Sequence, residues 1–247
     1  MPIRRAYMDP PLEKGVGGFL TLPKEVAHRF VDVLRLGEGA LVELFDGQGN
    51  VLRGILSLGP PARMTNLAHA RYQRELPAMV VAQAMVKMDK LEQVVQRATE
   101  LAASQIVLFD CERSQVRLGD KVEKKMSRLM RIAQDAARQC GRADVPEIHG
   151  PLRFEELLHR CRSFDGLCVL GEPDTDVQLL SLLEGEARGI MILVGPEGGF
   201  SPAEVRALKQ SGAREANWAE HLLRTETAAL AALSVIQQFY RAGRAFD

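Results

Sequence analysis

Gly195-Pro196-Glu197-Gly198-Gly199-Phe200 sets two adjacent glycines and a carboxylate directly after the apolar run Ile190-Met191-Ile192-Leu193-Val194. Ser201-Pro202-Ala203-Glu204 then carries the marks of a helix start, with Ser201 to cap, Pro202 at the first helical position and Glu204 to reach back to the cap. The order strand, glycine turn, helix lets backbone N–H groups approach a ligand at the carboxyl end of a strand in an open α/β sheet. A tight turn without a ligand has the same sequence form. Phosphate chemistry is disfavoured, because neither Gly-x-x-x-x-Gly-Lys-Ser/Thr nor a Gly-x-Gly-x-x-Gly after a strand occurs.

A second constellation, Leu222-Leu223-Arg224-Thr225-Glu226-Thr227-Ala228, opens the last helix, in which Ala229, Leu233, Ile236 and Tyr240 pack inward before Gly243 ends it. Thr225 or Thr227 can cap, and Glu226 suits the positive end of the helix. Arg224 does not fit that account, since a cation is unfavourable beside a helix N-terminus. His69, His149 and His159 lie outside both constellations and read as surface or structural residues, whereas His221 adjoins the second. Cys111, Cys140, Cys161 and Cys168 include no CxxC pair and no histidine at metal-ligand spacing, so no metal is expected. Cys140 reads as a buried small residue between a helix and a turn.

The chain of 247 residues balances 32 basic against 32 acidic side chains, which argues against a protein that coats nucleic acid indiscriminately. A local basic face is readable: Arg113, Arg117, Lys121, Lys124, Lys125, Arg128, Arg131, Arg138 and Arg142 stand against Asp120, Glu123 and Asp135. Such a run is either a phosphate-contacting surface or a solvated helix face. Met1 to Arg5 leads into Pro10-Pro11 without an apolar run fit for a signal peptide, and no segment approaches a membrane span. A soluble protein in a reducing cytosol is therefore expected, with no membrane partner.

These residues need elements to hold them. Up to about Tyr72 the pattern is of short strands, Gly18 to Thr21, Ala40 to Phe45 and Val51 to Leu56, with turn residues before the last and a helix near Lys24 to Leu34. That composition predicts a small β-barrel over residues 1–72. After Pro77 apolar strands alternate with long helices, which predicts an α/β sheet of parallel strands over 73–247, with strands at Met79 to Met85, Gln105 to Phe109, Leu167 to Leu170 and Ile190 to Val194. Asp89 and Glu92 form a capping box ahead of Leu91, Val94, Val95, Ala98 and Leu101, and a second amphipathic helix runs from about Asp120 to Gln139.

Taken together, Gly195 to Ser201 and Leu223-Arg224-Thr225-Glu226-Thr227-Ala228 resemble the ribosomal RNA small subunit methyltransferase E family, within the knotted SPOUT methyltransferases. Further segments agree: Lys87-Met88-Asp89-Lys90 with Glu92, Gln96 and Ala98-Thr99-Glu100-Leu101; Glu112-Arg113-Ser114; Gln139-Cys140-Gly141-Arg142 with Val145-Pro146-Glu147-Ile148; and His28 to Leu36. The resemblance covers essentially the whole chain in order. Ala102 stands where the family usually has glycine, and Trp218-Ala219-Glu220-His221 replaces a more usual Leu-Gly-x-Arg.

The resemblance implies an α/β fold in which an N-terminal PUA-like RNA-binding β-barrel precedes a SPOUT domain with a C-terminal trefoil knot, working as a homodimer. The implied activity is methylation of uridine N3 in 16S rRNA of the small ribosomal subunit, with S-adenosyl-L-methionine as donor. By position, the cofactor pocket would use Leu170 and Gly171, Gly195, Pro196, Glu197, Gly198 and Gly199, then Trp218, His221, Leu222, Leu223 and Thr227, with Leu170, Leu222 and Leu223 as apolar lining. Arg224 would stabilise the developing uracil anion, and Glu197 or Glu226 would position the base or take its proton. Arg4, Arg5, His28, Arg29, Arg35, Arg113, Arg138 and Arg142 would contact RNA. Two alternatives remain: another RNA target for the same fold, or an RNA-binding assembly factor without catalysis.

Overall fold

The computed structural model describes residues 3–12, 18–72, 76–114, 116, 122–184 and 187–244. It divides into two compact units, Met1–Gln73 with Gln134–Val145, and Arg74–Ala133 with Pro146–Asp247. Residues 134–145, placed with the second domain by sequence, pack with the first unit instead. They do so because Ala137 and Ala143 join Phe45 and Val51 in one apolar cluster, and the N–H of Gly49 bonds to the carbonyl of Ala143 at 3.2 Å.

The first unit holds a five-stranded sheet of β1 (Arg4–Tyr7), β2 (Phe19–Thr21), β3 (Leu41–Phe45), β4 (Asn50–Ser57) and β5 (Arg63–Arg71), in the order β1-β3-β4-β5-β2. Strand β1 runs parallel to β3, and the remaining pairs are antiparallel. The hairpin expected between β3 and β4 is present; the Asp46 carboxylate accepts from the N–H groups of Gln48 and Asn50 at 2.8 and 3.1 Å and so shapes its loop. Helix α1 (Lys24–His28) continues into a π-helical turn, Arg29–Val33, closed by the Leu34 N–H on the Arg29 carbonyl at 2.9 Å. The pair buries Val26 and Phe30 against Val42, Leu44 and Leu52.

The second unit is a six-stranded parallel sheet of β6 (Ala78–Ala84), β7 (Gln105–Phe109), β8 (Glu147–Leu152), β9 (Leu167–Gly171), β10 (Gly189–Val194) and β11 (Arg214–Ala216), in the order β11-β9-β10-β6-β7-β8. All six residues of central β10 are buried, as its continuous apolar run requires. The edge strands β8 and β11 carry Glu147, His149, Arg214 and Glu215, so their period is masked and periodicity does not reveal them. The helices are α2 (Met88–Glu100), α3 (Val122–Cys140), α4 (Phe154–Ser163), α5 (Leu179–Leu182), α6 (Pro202–Gln210) and α7 (Thr225–Arg244).

Two local expectations change. Helix α2 starts at Met88, so the cap position is Lys87, which makes no side-chain cap bond; Asp89 lies inside the first turn, where the helix end favours its charge. Glu92 is consequently released from capping and pairs with Arg128 at 2.8 Å. Helix α7 does not stop at Gly243 but runs through Arg244. Among the described residues no helix is long and apolar enough to cross a membrane.

Candidate active site

Strands β9, β10 and β11 end side by side, and the turns that leave them border one open cavity of about 550 Å³. Gly171, Gly195, Pro196, Glu197, Gly198, Gly199, Trp218, His221, Leu222, Leu223 and Arg224 all line it. Leu170 does not: its side chain is fully buried with Cys168 and Leu193 in the core beneath the sheet, so its neighbour Gly171 is the residue that meets the cavity. Thr227 is also absent from the wall: Thr225 and Ala228 line it, and Thr227 lies between them on the exposed side of the helical turn.

The glycine turn is held from three directions. Within it, the Gly199 N–H bonds to the Pro196 carbonyl at 2.9 Å and Gly199 has φ +65°, a conformation that favours glycine. Behind it the expected capping box is formed: the Ser201 N–H donates to Glu204 at 2.8 Å and the Ser201 hydroxyl accepts from the Glu204 N–H at 3.4 Å. The other Glu204 oxygen accepts from the Glu112 N–H at 2.7 Å, tying α6 to the segment after β7. Arg113, an expected RNA contact, is exposed and lines the cavity, and it also braces the turn by donating to the carbonyls of Gly198 and Phe200 at 2.9 and 3.4 Å.

The third anchor is Thr225. Its hydroxyl donates to the Gly195 carbonyl at 2.6 Å and accepts from the fully buried Gln83 amide at 2.9 Å. It therefore does not cap α7. Arg224 occupies the cap position, its carbonyl accepting from the N–H groups of Thr227 and Ala228 at 2.8 and 2.9 Å, while its side chain lines the cavity. Across the cavity the Trp218 indole N–H donates to the Ala228 carbonyl at 3.0 Å and fixes the ring against Gly171. A Cβ on Gly171 would lie 2.6 Å from that ring, so the Trp218 ring in this position requires glycine at 171.

Lys90 was not singled out by the sequence. Its ammonium lies 2.9 Å from Glu197 and 3.6 Å from Glu226, joining α2, the glycine turn and the start of α7. The hydrogen bond to Glu197 raises the Lys90 pKa above its ordinary value. Partial burial pushes Glu197 up, but the Lys90 bond, a backbone N–H and the charges of Lys90 and Lys87 outweigh it and hold the carboxyl below the usual range. Glu197 is thus a persistent negative charge and a weak proton acceptor. Glu226 does not line the cavity; its carboxylate is 12% exposed, and its Oε2, without a hydrogen bond among the described residues, lies 3.6 Å from the Lys90 ammonium. The signal for Lys90 was its place in Lys87 to Lys90, but its partners depend on α2 packing against α7.

Among the other expected RNA contacts, Arg4, His28 and Arg35 are exposed, and His28 pairs with Asp32 at 2.7 Å. Arg29 and Arg138 are half-buried, Arg138 pairing with Asp135 at 3.2 Å. Arg5 is half-buried: its guanidinium bonds to buried Glu43 and lies 4.8 Å over the Phe45 ring, while its Nη1 has no hydrogen-bond partner among the described residues. One expectation is corrected. Arg142 is 7% exposed and grips Asp144 through Nε and Nη2 at 3.1 and 2.8 Å, so its charge is already used. Arg117, Asp120 and Lys121 lie outside the described residues. Cys140 is exposed rather than buried, and among the described residues no three metal-ligating side chains are grouped.

Residues 74–237 match the family model of an RNA methyltransferase domain. The chain is also 34% identical over 225 residues to ribosomal RNA small subunit methyltransferase E of Bacillus subtilis (strain 168), a match covering 86% of this chain and 87% of that relative. This chain belongs to the ribosomal RNA small subunit methyltransferase E family. The family's member from Mycobacterium bovis is 29% identical over 87% of this chain and 88% of its own. A methyltransferase from Legionella pneumophila, solved with its bound cofactor SAM, has a TM-score of 0.83 and 28% identity over 96% of this chain and 98% of its own. Ribosomal RNA small subunit methyltransferase E from Neisseria gonorrhoeae, bound to S-adenosyl methionine, shares the fold at a TM-score of 0.84 and 24% identity over 96% and 98%. Membership of this methyltransferase E family accords with the mixed α/β architecture and its two sheets.

Proposed function

We propose that this protein methylates N3 of a specific uridine in the 16S rRNA of the small ribosomal subunit, using S-adenosyl-L-methionine as methyl donor. The observation that carries the reading is the cavity enclosed by the turns after β9, β10 and β11. Its volume of about 550 Å³ suits a ligand of nucleoside size. The fit extends to chemistry: backbone groups of Gly171, of Gly195 to Gly199 and of Ala216 to Trp218 can hold polar edges, and Leu222 and Leu223 supply apolar cover for a ring. When bound, the cofactor supplies a methyl group activated by its sulfonium.

The chain's own residues have the remaining tasks. A uracil N3 must be placed in line with the methyl group and must lose its imide proton, which passes to water in the open cavity, so positioning and charge stabilisation contribute most. Arg224, on the cavity wall, stabilises the uracil anion. Glu197, held ionised by Lys90, orients the base and keeps negative charge in the cavity. Glu226 anchors Lys90 from behind and is a positioning residue. Methyl-transfer rates unchanged from wild type in Arg224→Ala, with cofactor binding intact, would remove Arg224 from this scheme.

The first unit's five-stranded sheet supports its reading as a PUA-like RNA-binding barrel over residues 1–72. A C-terminal trefoil knot is supported by the path of the chain, which pairs β11 beside β9 at the sheet edge and then packs α7 on α2, β10 and β6. Exposed Val177, Leu180 and Leu222 support association as a homodimer, in the cytoplasm where ribosomal RNA is modified. Nucleoside mass spectrometry of 16S rRNA from a deletion strain tests the assignment: 3-methyluridine should vanish and return on complementation. Loss of a different methylated nucleoside would reassign the target. Retained RNA affinity without any calorimetric binding of S-adenosylmethionine would make the protein an assembly factor.

A further inference from the structure

Three guanidinium groups converge in the first unit from distant parts of the chain. Strand β1, which contains Arg5, packs against the π-helical turn that Arg29 opens. Arg138 lies in the last turn of α3, and a Cβ on the following Gly141 would sit 3.8 Å from Arg5 Nη1. Two N–H positions in this group, Arg29 Nε and Arg5 Nη1, are shielded from solvent and have no hydrogen-bond acceptor among the described residues. Charged donors left in that state are costly, and their persistence marks a place prepared for an acceptor.

The nearby carboxylates do not meet that demand. Glu43 is shared between Arg5 and Arg53, the latter at 2.7 Å, and Asp135 pairs with Arg138. Among the described residues, Arg5, Arg53 and Arg138 thus share two carboxylates, and Arg29 has no ion pair. Burial and the neighbouring Arg138 charge both push the Arg29 pKa down, with Asp135 alone opposing, which reflects uncompensated positive charge. Asp135 is 69% exposed, so its hold on Arg138 is a surface pair that an incoming anion can displace.

We propose that Arg5, Arg29 and Arg138 form a clasp for one phosphodiester of the RNA backbone. A phosphate diester offers two non-bridging oxygens to planar guanidinium forks, and Arg29 Nε and Arg5 Nη1 are the donors awaiting them. The clasp rests on the reading of this chain as an RNA-modifying enzyme and adds a defined subsite to it. Because Arg138 comes from Gln134–Val145, the first unit's grip on RNA depends on residues supplied more than a hundred positions after Arg29.

The test is filter binding of in vitro transcribed, unmethylated 16S rRNA to the full chain without cofactor, across a KCl series. Arg29→Ala/Arg138→Ala should bind at least about tenfold more weakly, with the logarithmic salt slope reduced by about 0.7–0.9 for each lost contact. Arg29→Lys keeps the charge and loses Nε–H, so its affinity should fall several-fold, on the order expected for one lost charged hydrogen bond, while the slope holds. Arg162→Ala, on exposed α4, should match wild type. Wild-type affinity in both the double alanine and the lysine variants overturns the clasp, and so does weaker binding of the double alanine variant at an unchanged slope. Thermal stabilisation by inorganic phosphate that is lost in Arg29→Lys, with RNA binding unaltered, would also overturn it by assigning the site to free phosphate. Wild-type protein that binds 16S rRNA with these variant effects but transfers no methyl group would leave the clasp standing and defeat the proposed function.

Discussion

Replacing Thr225 by valine keeps the side-chain shape and removes both bonds of its hydroxyl, to the Gly195 carbonyl at 2.6 Å and from the Gln83 amide at 2.9 Å. Gln83 is fully buried, its Oε1 already lacks a partner, and only the Ala84 carbonyl at 3.3 Å would remain for its Nε2. Stranding that amide costs about 1–3 kcal/mol, and losing the bond to half-buried Gly195 adds about 0.5–1.5 kcal/mol, so a loss of about 2–4 kcal/mol is expected. At about 2–4 °C per kcal/mol for a chain of this size, the melting temperature should fall on the order of 10 °C. Urea unfolding followed by the fluorescence of Trp218, the single tryptophan, reads the unit concerned. Adding Gln83→Leu makes both positions apolar and should recover more than half of the loss. Affinity for S-adenosylmethionine should stay reduced in both variants, because the Gly195 carbonyl lacks its donor in each. A Thr225→Val protein within about 0.5 kcal/mol of wild type, or a double variant no more stable than the single, would refute the coupling.

Two further predictions concern neighbouring elements. Lys90→Met removes the cation between Glu197 and Glu226; because Glu197 sits below its ordinary pKa through Lys90, the ion pair in the wild type fades only as pH falls through that lowered value, or as pH rises through the raised lysine value. Calorimetric cofactor affinity should therefore begin to fail at a higher pH on the acid side in Lys90→Met, and superimposable acid limbs would contradict this. Ala102→Gly should raise stability by about 0.5–1 kcal/mol, since Ala102 has φ +60° where α2 ends with the Ala103 N–H on Ala98 and the Ala102 N–H on Thr99, a helix ending that favours glycine. A lower urea midpoint in this variant would show that something other than backbone conformation governs the position.

The Ser201 and Glu204 capping box was legible because both partners lie within one helical turn, and the β10 strand because its neighbours on both sides are apolar. Asp89 and Glu92 show the limit of the same reasoning. The residue pattern of a capping box was present, but the helix began two residues earlier, with Lys87 at the cap position, and Glu92 instead pairs with Arg128, which only the packing of α3 brings near. Strands β8 and β11 were missed because edge positions tolerate charge, which erases the apolar signal.

What the sequence by itself determined was local: the strand, glycine turn and helix around Gly195 to Glu204, the two amphipathic helices, and the alternation that makes the second sheet parallel. Those features arise from backbone conformation and from contacts within a few residues, and a single sequence carries them directly. Tertiary structure alone decided that Thr225 reaches Gly195 instead of capping its own helix, that Lys90 gathers Glu197 and Glu226, that Leu170 is core and Gly171 is wall, and that residues 134–145 complete the first unit. Each depends on which distant segment comes to lie alongside, and a hydroxyl or an ammonium takes the partner that packing delivers when burial leaves it no water.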